Sequence, residues 1–348
     1  MTADGLGEAG GGRRRADGRS DGRARAGERD DGRPVLLALR GLALGDLLTA
    51  VPALRALRRA FPEHRLVLAA PSALAELLPM IGAVDELLDV SGPGPVPLGS
   101  PGIAVNLHGR GPQSVEALSR TGPGRLLTHA HPDFPAVPGP EWRAGVHEVR
   151  RWCDLLGWYG IPADPADLLL TDPSGPSGPP VAGPAGARTG PVVVHPGAAS
   201  PARRWPPTRF ALVVAGLRRA GHDVVITGNA SERELARQVA ALAHLPAEHV
   251  LAGRTGLREL AAVVAGARLV VCGDTGVAHL ASACATPSVV LFGPVAPALW
   301  GPPPTGPHIA LWAGRSGDPH GSEPDPGLLR IDVPEVLDAA LNLLEVSV

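Results

Sequence analysis

The stretch from Leu269 to Pro294, LVVCGDTGVAHLASACATPSVVLFGP, constrains the fold more than any other part of the chain. Two short apolar runs, Leu269 to Val271 and Val289 to Phe292, suit the buried strands of a parallel sheet, and the small residues Val277 to Ala285 between them suit a helix. Strand, helix and strand in that order make a βαβ crossover. The turn Cys272-Gly273-Asp274-Thr275-Gly276 falls where the first strand gives way to the helix. Open α/β sheets receive ligands at that edge, and the free N–H groups of a starting helix attract anions, so an anion here would rest on Thr275 and Gly276. The same residues also suit plain capping, with Asp274 or Thr275 as N-cap, Gly273 and Gly276 as turn formers and His279 as a core histidine.

Strand and helix alternate through the rest of the chain. Val35 to Arg40 reads as the first strand, Gly41 to Gly45 as a turn, and Asp46 to Ala60 as an amphipathic helix with a kink or late start at Pro52. Further strands are expected at Arg65 to Ala70, Val84 to Val90 and Ile103 to Leu107, with helices at Ser72 to Met80, Ser114 to Ser119 and His147 to Trp158. Residues Thr121 to Glu141 read as loop, and its His129, His131 and Asp133, without a partner cluster, read as solvated side chains rather than a metal site. The second half repeats the alternation: strands at Val192 to Val194, Asp223 to Thr227 and Val250-Leu251, helices at Thr208 to Ala220, Ser231 to Ala243 and Leu257 to Ala265, then the opening unit and a last helix from Pro334 to Leu344.

Two stretches stand outside this pattern. Residues 1–33 are Gly, Arg, Asp and Glu with almost nothing to bury, which predicts a disordered tail. Residues 172–190 are Pro, Gly and Ser in low complexity, which predicts a linker. The expected architecture is therefore α/β, with two doubly wound Rossmann-like domains, 34–171 and 191–348, facing each other across a cleft, and with the last helix free to pack back on the first domain.

Composition narrows what such a cleft can hold. The chain has 32 basic residues, all of them arginine, against 34 acidic ones, a net charge of −2 that gives no reason to expect nucleic acid or an anionic membrane surface. Any cation that holds a phosphate must then be Arg or His. Cys153, Cys272 and Cys284 lack metal-ligand spacing and read as small buried hydrophobes of a reducing compartment. No apolar run reaches bilayer length and no signal-peptide core is present, so the sequence-based expectation is a soluble cytoplasmic protein with at most peripheral membrane contact.

Three clusters sit at strand ends. Arg40-Gly41-Leu42-Ala43-Leu44-Gly45-Asp46 puts a carboxylate at a strand-to-helix turn, where Asp46 would serve as a general base or simply cap the helix with Thr49 three residues on. His195-Pro196-Gly197-Ala198-Ala199-Ser200, followed by Arg203-Arg204-Trp205-Pro206, offers small residues and guanidinium donors to a phosphate, though an Arg-Arg pair is also an ordinary solvated feature. Gly228-Asn229-Ala230-Ser231-Glu232 closes another strand, with Glu232 either a ribose acceptor or ordinary first-turn chemistry.

In order, RGLALGDLLTAVPALRALRRAFP, VNLHGRGPQS, HPGAASPARRWPPTRF, ITGNASERELA and CGDTGVAHLASACATPSVVLFGP resemble glycosyltransferase family nine, the heptosyltransferases acting on ADP-heptose. The resemblance runs over roughly residues 35 to 345. It implies a GT-B fold and an inverting, metal-independent transfer, without cofactor, of a sugar from a nucleotide diphosphate donor to a glycan, glycolipid or small-molecule hydroxyl. The family's base falls on Asp46. Its donor side falls on His195, Ser200, Arg204, Gly228, Glu232, Asp274, Thr275, Gly276, His279 and Gly293, with Arg204 holding phosphate where lysine is frequent. Its acceptor side falls on Gly45, His108, Arg110 and Ser114, while Asn106 stands where an aspartate is frequent. Two other readings compete: a sugar-nucleotide epimerase of the same architecture, which needs acid and base groups around the sugar from both domains, and a non-catalytic nucleotide-sugar binder, which needs no base. A dinucleotide oxidoreductase fails, because no G-x-G-x-x-G follows the first strand.

Overall fold

Arg40 is a fully buried arginine at the end of the first strand, and the elements around it fix the frame in which every other group is placed. The structure, a computed structural model, describes residues 32–171 and 189–346. Most of the expected tail and linker lies outside the described residues.

The first half runs β1 (Val35–Leu39), α1 (Leu44–Thr49), α2 (Val51–Ala60), β2 (Arg65–Ala70), α3 (Leu78–Ile81), β3 (Glu86–Asp89), β4 (Ile103–Asn106), α4 (Gln113–Ser119), β5 (Arg125–Leu127) and α5 (Glu148–Trp158). The second half runs β6 (Val192–His195), α6 (Pro207–Arg219), β7 (Val224–Ile226), α7 (Arg233–Leu242), α8 (Leu257–Gly266), β8 (Leu269–Gly273), α9 (Gly276–Ala283), β9 (Ser288–Phe292), α10 (Pro297–Trp300), β10 (His308–Trp312) and α11 (Val333–Val346). Two parallel sheets result, ordered β3-β2-β1-β4-β5 and β10-β9-β8-β6-β7. In each, the chain builds outward on one side and then restarts on the other. The reversal lies between β1 and β4 in the first sheet and between β6 and β8 in the second. Those are the switch points, where the crevice beyond the strand ends is widest.

The strands are continuous Leu, Val and Ala because both faces are covered, and β4, β6, β8 and β9 are buried at every residue. One apolar core holds side chains of both halves, among them Leu48, Leu54 and Trp152 from the first and Cys272, Leu280 and Phe292 from the second. The halves therefore meet through packed surface as well as across a cleft. Leu170 N–H donates to Ala283 O at 2.8 Å and Thr171 N–H to Met80 O at 3.0 Å, which fastens the end of the first half to α9 and to α3.

Several elements depart from the sequence expectation for local reasons. The helix from Asp46 to Ala60 is two helices interrupted at Ala50, with Pro52 near the start of the second, where its missing N–H costs no intrahelical bond. Ala43 is the N-cap of α1, so Asp46 lies inside the first turn and does not cap it. The stretch Ser72–Leu77 is a 3₁₀ turn rather than α-helix. The expected loop of residues 121–141 contains edge strand β5, and Val250 makes only an isolated bridge to Ile226. His129 is buried against Trp142 and Trp152 rather than solvated. Finally, α11 packs on α6 and the second sheet, not on the first half, because its apolar stripe of Val336, Ala339, Ala340 and Leu344 meets that core.

Closeness at α1 and α9 depends on glycine. A Cβ on Gly45 would stand 2.7 Å from His279 Cδ2, and one on Gly276 would stand 3.0 Å from Leu44 Cβ. Gly45→Ala is expected to destabilise the fold by about 1–3 kcal/mol through overpacking, read as a lowered urea midpoint. Gly157→Ala, with nothing within 4 Å of the added atom, is the control and should be neutral or stabilising; equal midpoints for the two variants would show that the α1–α9 contact is slack.

Candidate active site

A cleft of about 590 Å³ lies between the strand-end edges of the two sheets. Its first-half wall is Ala43 to Asp46, the start of α1. Its second-half wall comes from four strand or helix ends: His195 and Arg203 after β6, Gly228, Asn229 and Glu232 after β7, Thr255 to Leu257 before α8, and Asp274 to Val277 with His279 at β8 and α9. Trp300 and His320 also line the cleft. A chain with two oppositely placed switch points brings these turns together without any of them being close in sequence.

Asp46 is held from below. Arg40 sends Nε to Asp46 O at 2.9 Å and Nη2 to Asp46 Oδ1 at 3.4 Å, to Thr49 Oγ1 at 3.1 Å and to Glu148 Oε1 at 3.0 Å. It also donates to Leu107 O from Nη1 and stacks over the Trp152 ring at 4.7 Å. Thr49, the expected capping partner, instead donates to Asp46 O at 2.8 Å. The Asp46 side chain keeps a quarter of its surface open. Desolvation raises its pKa, Arg40 opposes this, and the nearby Glu148 adds to the rise.

Opposite stands the β8–α9 turn. Thr275 is the N-cap of α9 with no side-chain cap bond, so no side chain caps the first-turn N–H groups that face the cleft. Asp274 is buried and its pKa is pushed up to about 6, first by desolvation and further by Asp46, against the pull of Arg203. Arg203 Nη1 lies 3.8 Å from Asp274 Oδ2, and the buried Arg203 Nε has no hydrogen-bond partner. His279 is brought to about 4 mainly by burial, so at neutral pH its ring is uncharged, set against Gly45 and 5.7 Å from the Trp300 ring centre.

Arg203, rather than Arg204, faces the cleft. The 3₁₀ turn Pro201–Arg203 leaves Arg204 extended, with Nε donating to Ala198 O at 2.8 Å, while the next residue, Trp205, is buried against Phe210. His195, Gly228, Glu232, Asp274, Thr275, Gly276, His279, Gly45 and Asp46 all line the cleft as the motifs predict. His195 is buried, its Nδ1 3.1 Å from Thr227 Oγ1 and Nε2 3.8 Å from Glu232 Oε2, and burial lowers its pKa. Glu232 Oε2 accepts from Asn229 N–H at 2.9 Å in a capping box, and Gly197 leaves room for its carboxylate.

The remaining motif residues lie elsewhere. Ser200 Oγ donates to Gly321 O at 3.2 Å, and Gly293 O accepts from Trp312 Nε1 at 3.2 Å, so both brace the loop beyond β10. His108, exposed Arg110 and buried Ser114 are outside the cleft lining. Asn106 Nδ2 donates to Gly109 O, Ser114 Oγ and Thr128 Oγ1 at 3.0 to 3.1 Å, which makes this amide a brace for the turn after β4. Burial, and then Arg40, lower the pKa of His108. The sequence reading missed Glu148, the Thr255–Leu257 wall, Trp300 and His320. Among the described residues, no three His, Cys, Asp or Glu side chains could hold a metal ion, and no helix is long and apolar enough to cross a membrane.

Two Rossmann-like domains facing each other across a cleft define a GT-B architecture. The family model described as glycosyltransferase family 9 (heptosyltransferase) matches residues 145–319, half of the chain, and the chain belongs to that family. Lipopolysaccharide heptosyltransferase 3 of Escherichia coli is 32% identical over 125 residues, which are 35% of this chain and 36% of that protein. The match thus spans about a third of the curated relative's length. Across the whole fold, the glycosyl transferase family 9 structure from Veillonella parvula superposes with a TM-score of 0.70 at 22% identity, covering 90% of this chain and 97% of the other. The E. coli ADP-heptose lps heptosyltransferase II structure does so with 0.68 at 20%, covering 89% and 98%.

The pKa of Asp274 has a consequence for stability. A carboxyl whose folded value is raised from 3.8 to about 6 destabilises the fold in its ionised form, a cost absent below pH 3.8 and complete above pH 6. Asp274→Asn is expected to stabilise the ligand-free protein at pH 8 by up to about 3 kcal/mol, and the gain should vanish by pH 4. Chemical denaturation at the two pH values measures it, and a gain equal at both would refute the burial argument.

Proposed function

We propose that the cleft binds a nucleotide diphosphate sugar and that the protein transfers the sugar, with inversion, to a hydroxyl of a glycan, glycolipid or small-molecule acceptor. A heptose carried on ADP is the favoured donor, since relatives named as heptosyltransferases share the family and the fold. The observation that carries the reading is the apposition of Asp46, on α1, to Arg203 and the Asp274–Gly276 turn across one cleft.

The roles follow from charge. As the bond from the sugar's anomeric carbon to the diphosphate breaks, negative charge gathers on the departing phosphate oxygens. Arg203 offers a guanidinium whose buried Nε lacks a partner, and the first-turn N–H groups of α9 offer backbone donors without a side-chain cap. The acceptor hydroxyl attacks from the opposite face, and its proton passes to the Asp46 carboxylate. Such a base needs to be a carboxylate at working pH but not a weak one, and burial moves Asp46 in that direction. The neutral ring of His279 adds no competing charge. Glu232 and the Thr255–Leu257 wall lie where the nucleoside would extend from the diphosphate.

Two tests separate binding from chemistry. In calorimetry with ADP, UDP and GDP and their sugar conjugates, one nucleotide series should bind, and Arg203→Ala should weaken it at least about tenfold, whereas Arg204→Ala should leave it nearly unchanged. If no nucleotide binds wild type, the turn is a helix cap and the reading fails. With the bound donor in hand, Asp46→Asn should lower transfer to an acceptor panel by about 100-fold or more and leave donor affinity within a few-fold. Wild-type transfer in that variant would remove Asp46 from the base role.

A further inference from the structure

Glu148 is the first residue of α5, far from Asp46 in sequence, and it reaches the same arginine. Its two oxygens divide their partners. Oε1 accepts from Arg40 Nη2 at 3.0 Å and from Trp152 Nε1 at 3.0 Å, and Oε2 accepts from Arg151 Nε at 3.0 Å. Arg151 is itself fixed by the carbonyls of Arg143, Ala144 and Val146 and by stacking on Trp142 at 4.0 Å. The helix start that carries Glu148 is anchored as well. His147 Nδ1 accepts from Val149 N–H at 3.2 Å and its Nε2 meets Gly301 O at 3.0 Å, an arrangement that suits the neutral ring protonated on Nε2.

Arg40 thus has two carboxylates within reach and treats them unequally. Its contact to Glu148 is 3.0 Å, while that to Asp46 Oδ1 is 3.4 Å. The firm bond to Asp46 goes to the main-chain oxygen instead, at 2.9 Å. Backbone of Asp46 is held, and its carboxylate is left loosely paired and a quarter exposed to the cleft.

We propose that Glu148 is a positioning residue for Asp46: by binding Arg40 it keeps that cation from pairing closely with the Asp46 carboxylate, which stays free to accept a proton. The idea rests on Asp46 being the base of the proposed reaction. Without the Glu148 charge, Arg40 would turn its full positive charge on Asp46, and the carboxylate would become a weaker base. The direction in which Glu148 acts on Asp46, upward, agrees. Other charged or titratable groups facing Asp46 are Asp274 at the end of β8, which raises the proton affinity of the pair, and Arg203, His195, Glu232, His279 and His320 around the rest of the cleft. None of these is hydrogen-bonded to Glu148 among the described residues, and the Glu148 charge bears on Asp46 in the same direction twice, by its own repulsion and by occupying Arg40.

The test reads the proton on Asp46 itself, in the full-length protein labelled with 13C at aspartate carboxyl carbons, with Asp46→Asn identifying the resonance. Glu148→Gln is expected to lower the Asp46 titration midpoint by about one pH unit, a tenfold loss of proton affinity, and Glu148→Asp, which keeps the charge, should restore most of it. An unmoved or raised midpoint in folded Glu148→Gln overturns the proposal. Should that variant not fold, Arg151→Gln tests it from the other side: Glu148 then turns wholly to Arg40, the midpoint should rise, and a fall or no change overturns it. Where transfer can be assayed, Glu148→Gln should lower kcat with donor affinity intact and move the acid limb of the pH profile down. Because the titration needs no substrate, a shifted midpoint in a protein that transfers no sugar would refute the enzymatic reading alone and leave the coupling standing.

Discussion

A guanidinium with no access to water must find enough acceptors to replace its hydration, and Arg40 finds them at five places: two main-chain oxygens, one hydroxyl and two carboxylates. Removing such a group's partners leaves an uncompensated buried charge, among the most costly changes a fold can suffer. The arrangement therefore ties β1, α1, the end of β4 and the start of α5 into one rigid corner. That corner is the floor of the cleft. The Asp46 carboxylate is placed by the same interaction that ties the first sheet's switch point together, so cleft and fold share a single constraint.

On the other wall the logic is reversed. Asp274 is buried and electrically unsettled: it is drawn towards its neutral form, Arg203 has a buried donor unused, and Thr275 gives α9 no side-chain cap. Buried polar groups usually find partners in the folded chain itself. The buried Arg203 Nε is an exception to that rule, so this wall is electrostatically less complete than the corner around Arg40.

Much of this was legible from the sequence, and for identifiable reasons. Continuous apolar runs such as Val35 to Leu39 and Leu269 to Val271 announce buried parallel strands, and glycine-flanked acids at their ends announce the crevice. Hence Asp46, Asp274, Thr275, Gly276 and Glu232 could be named before their geometry was known. What stayed hidden depends on tertiary contact. Edge strand β5 has only three residues, and edge strand β10, HIALW, is only half-buried and lacks the continuous apolar run of the central strands. Glu148 looks like any acidic residue in a first helical turn, and only its contact with Arg40, more than a hundred positions away, gives it another role. The choice between Arg203 and Arg204 turns on one 3₁₀ turn that composition does not predict. His129 looked solvated because its segment lacks apolar periodicity, yet aromatic side chains from α5 and its own loop enclose it.

The absence of lysine, which reads first as a bias of composition, fits this electrostatic plan. A lysine buried beside a carboxyl pays for desolvation by giving up its proton, and its charge is then lost where it is needed. Arginine keeps its charge at any accessible pH and spreads it over a planar fork that can serve several acceptors at once. Arg40 uses that fork to hold a main-chain oxygen and two carboxylates together, which a single ammonium could not do with the same geometry. Arg203 uses it differently, keeping one arm near Asp274 and leaving its buried Nε without a hydrogen-bond partner. With arginine at both places, the cation beneath Asp46 and the cation beside Asp274 stay charged together, so that any change of charge across the cleft with pH falls to its titratable groups, Asp46 on one side and Asp274 on the other.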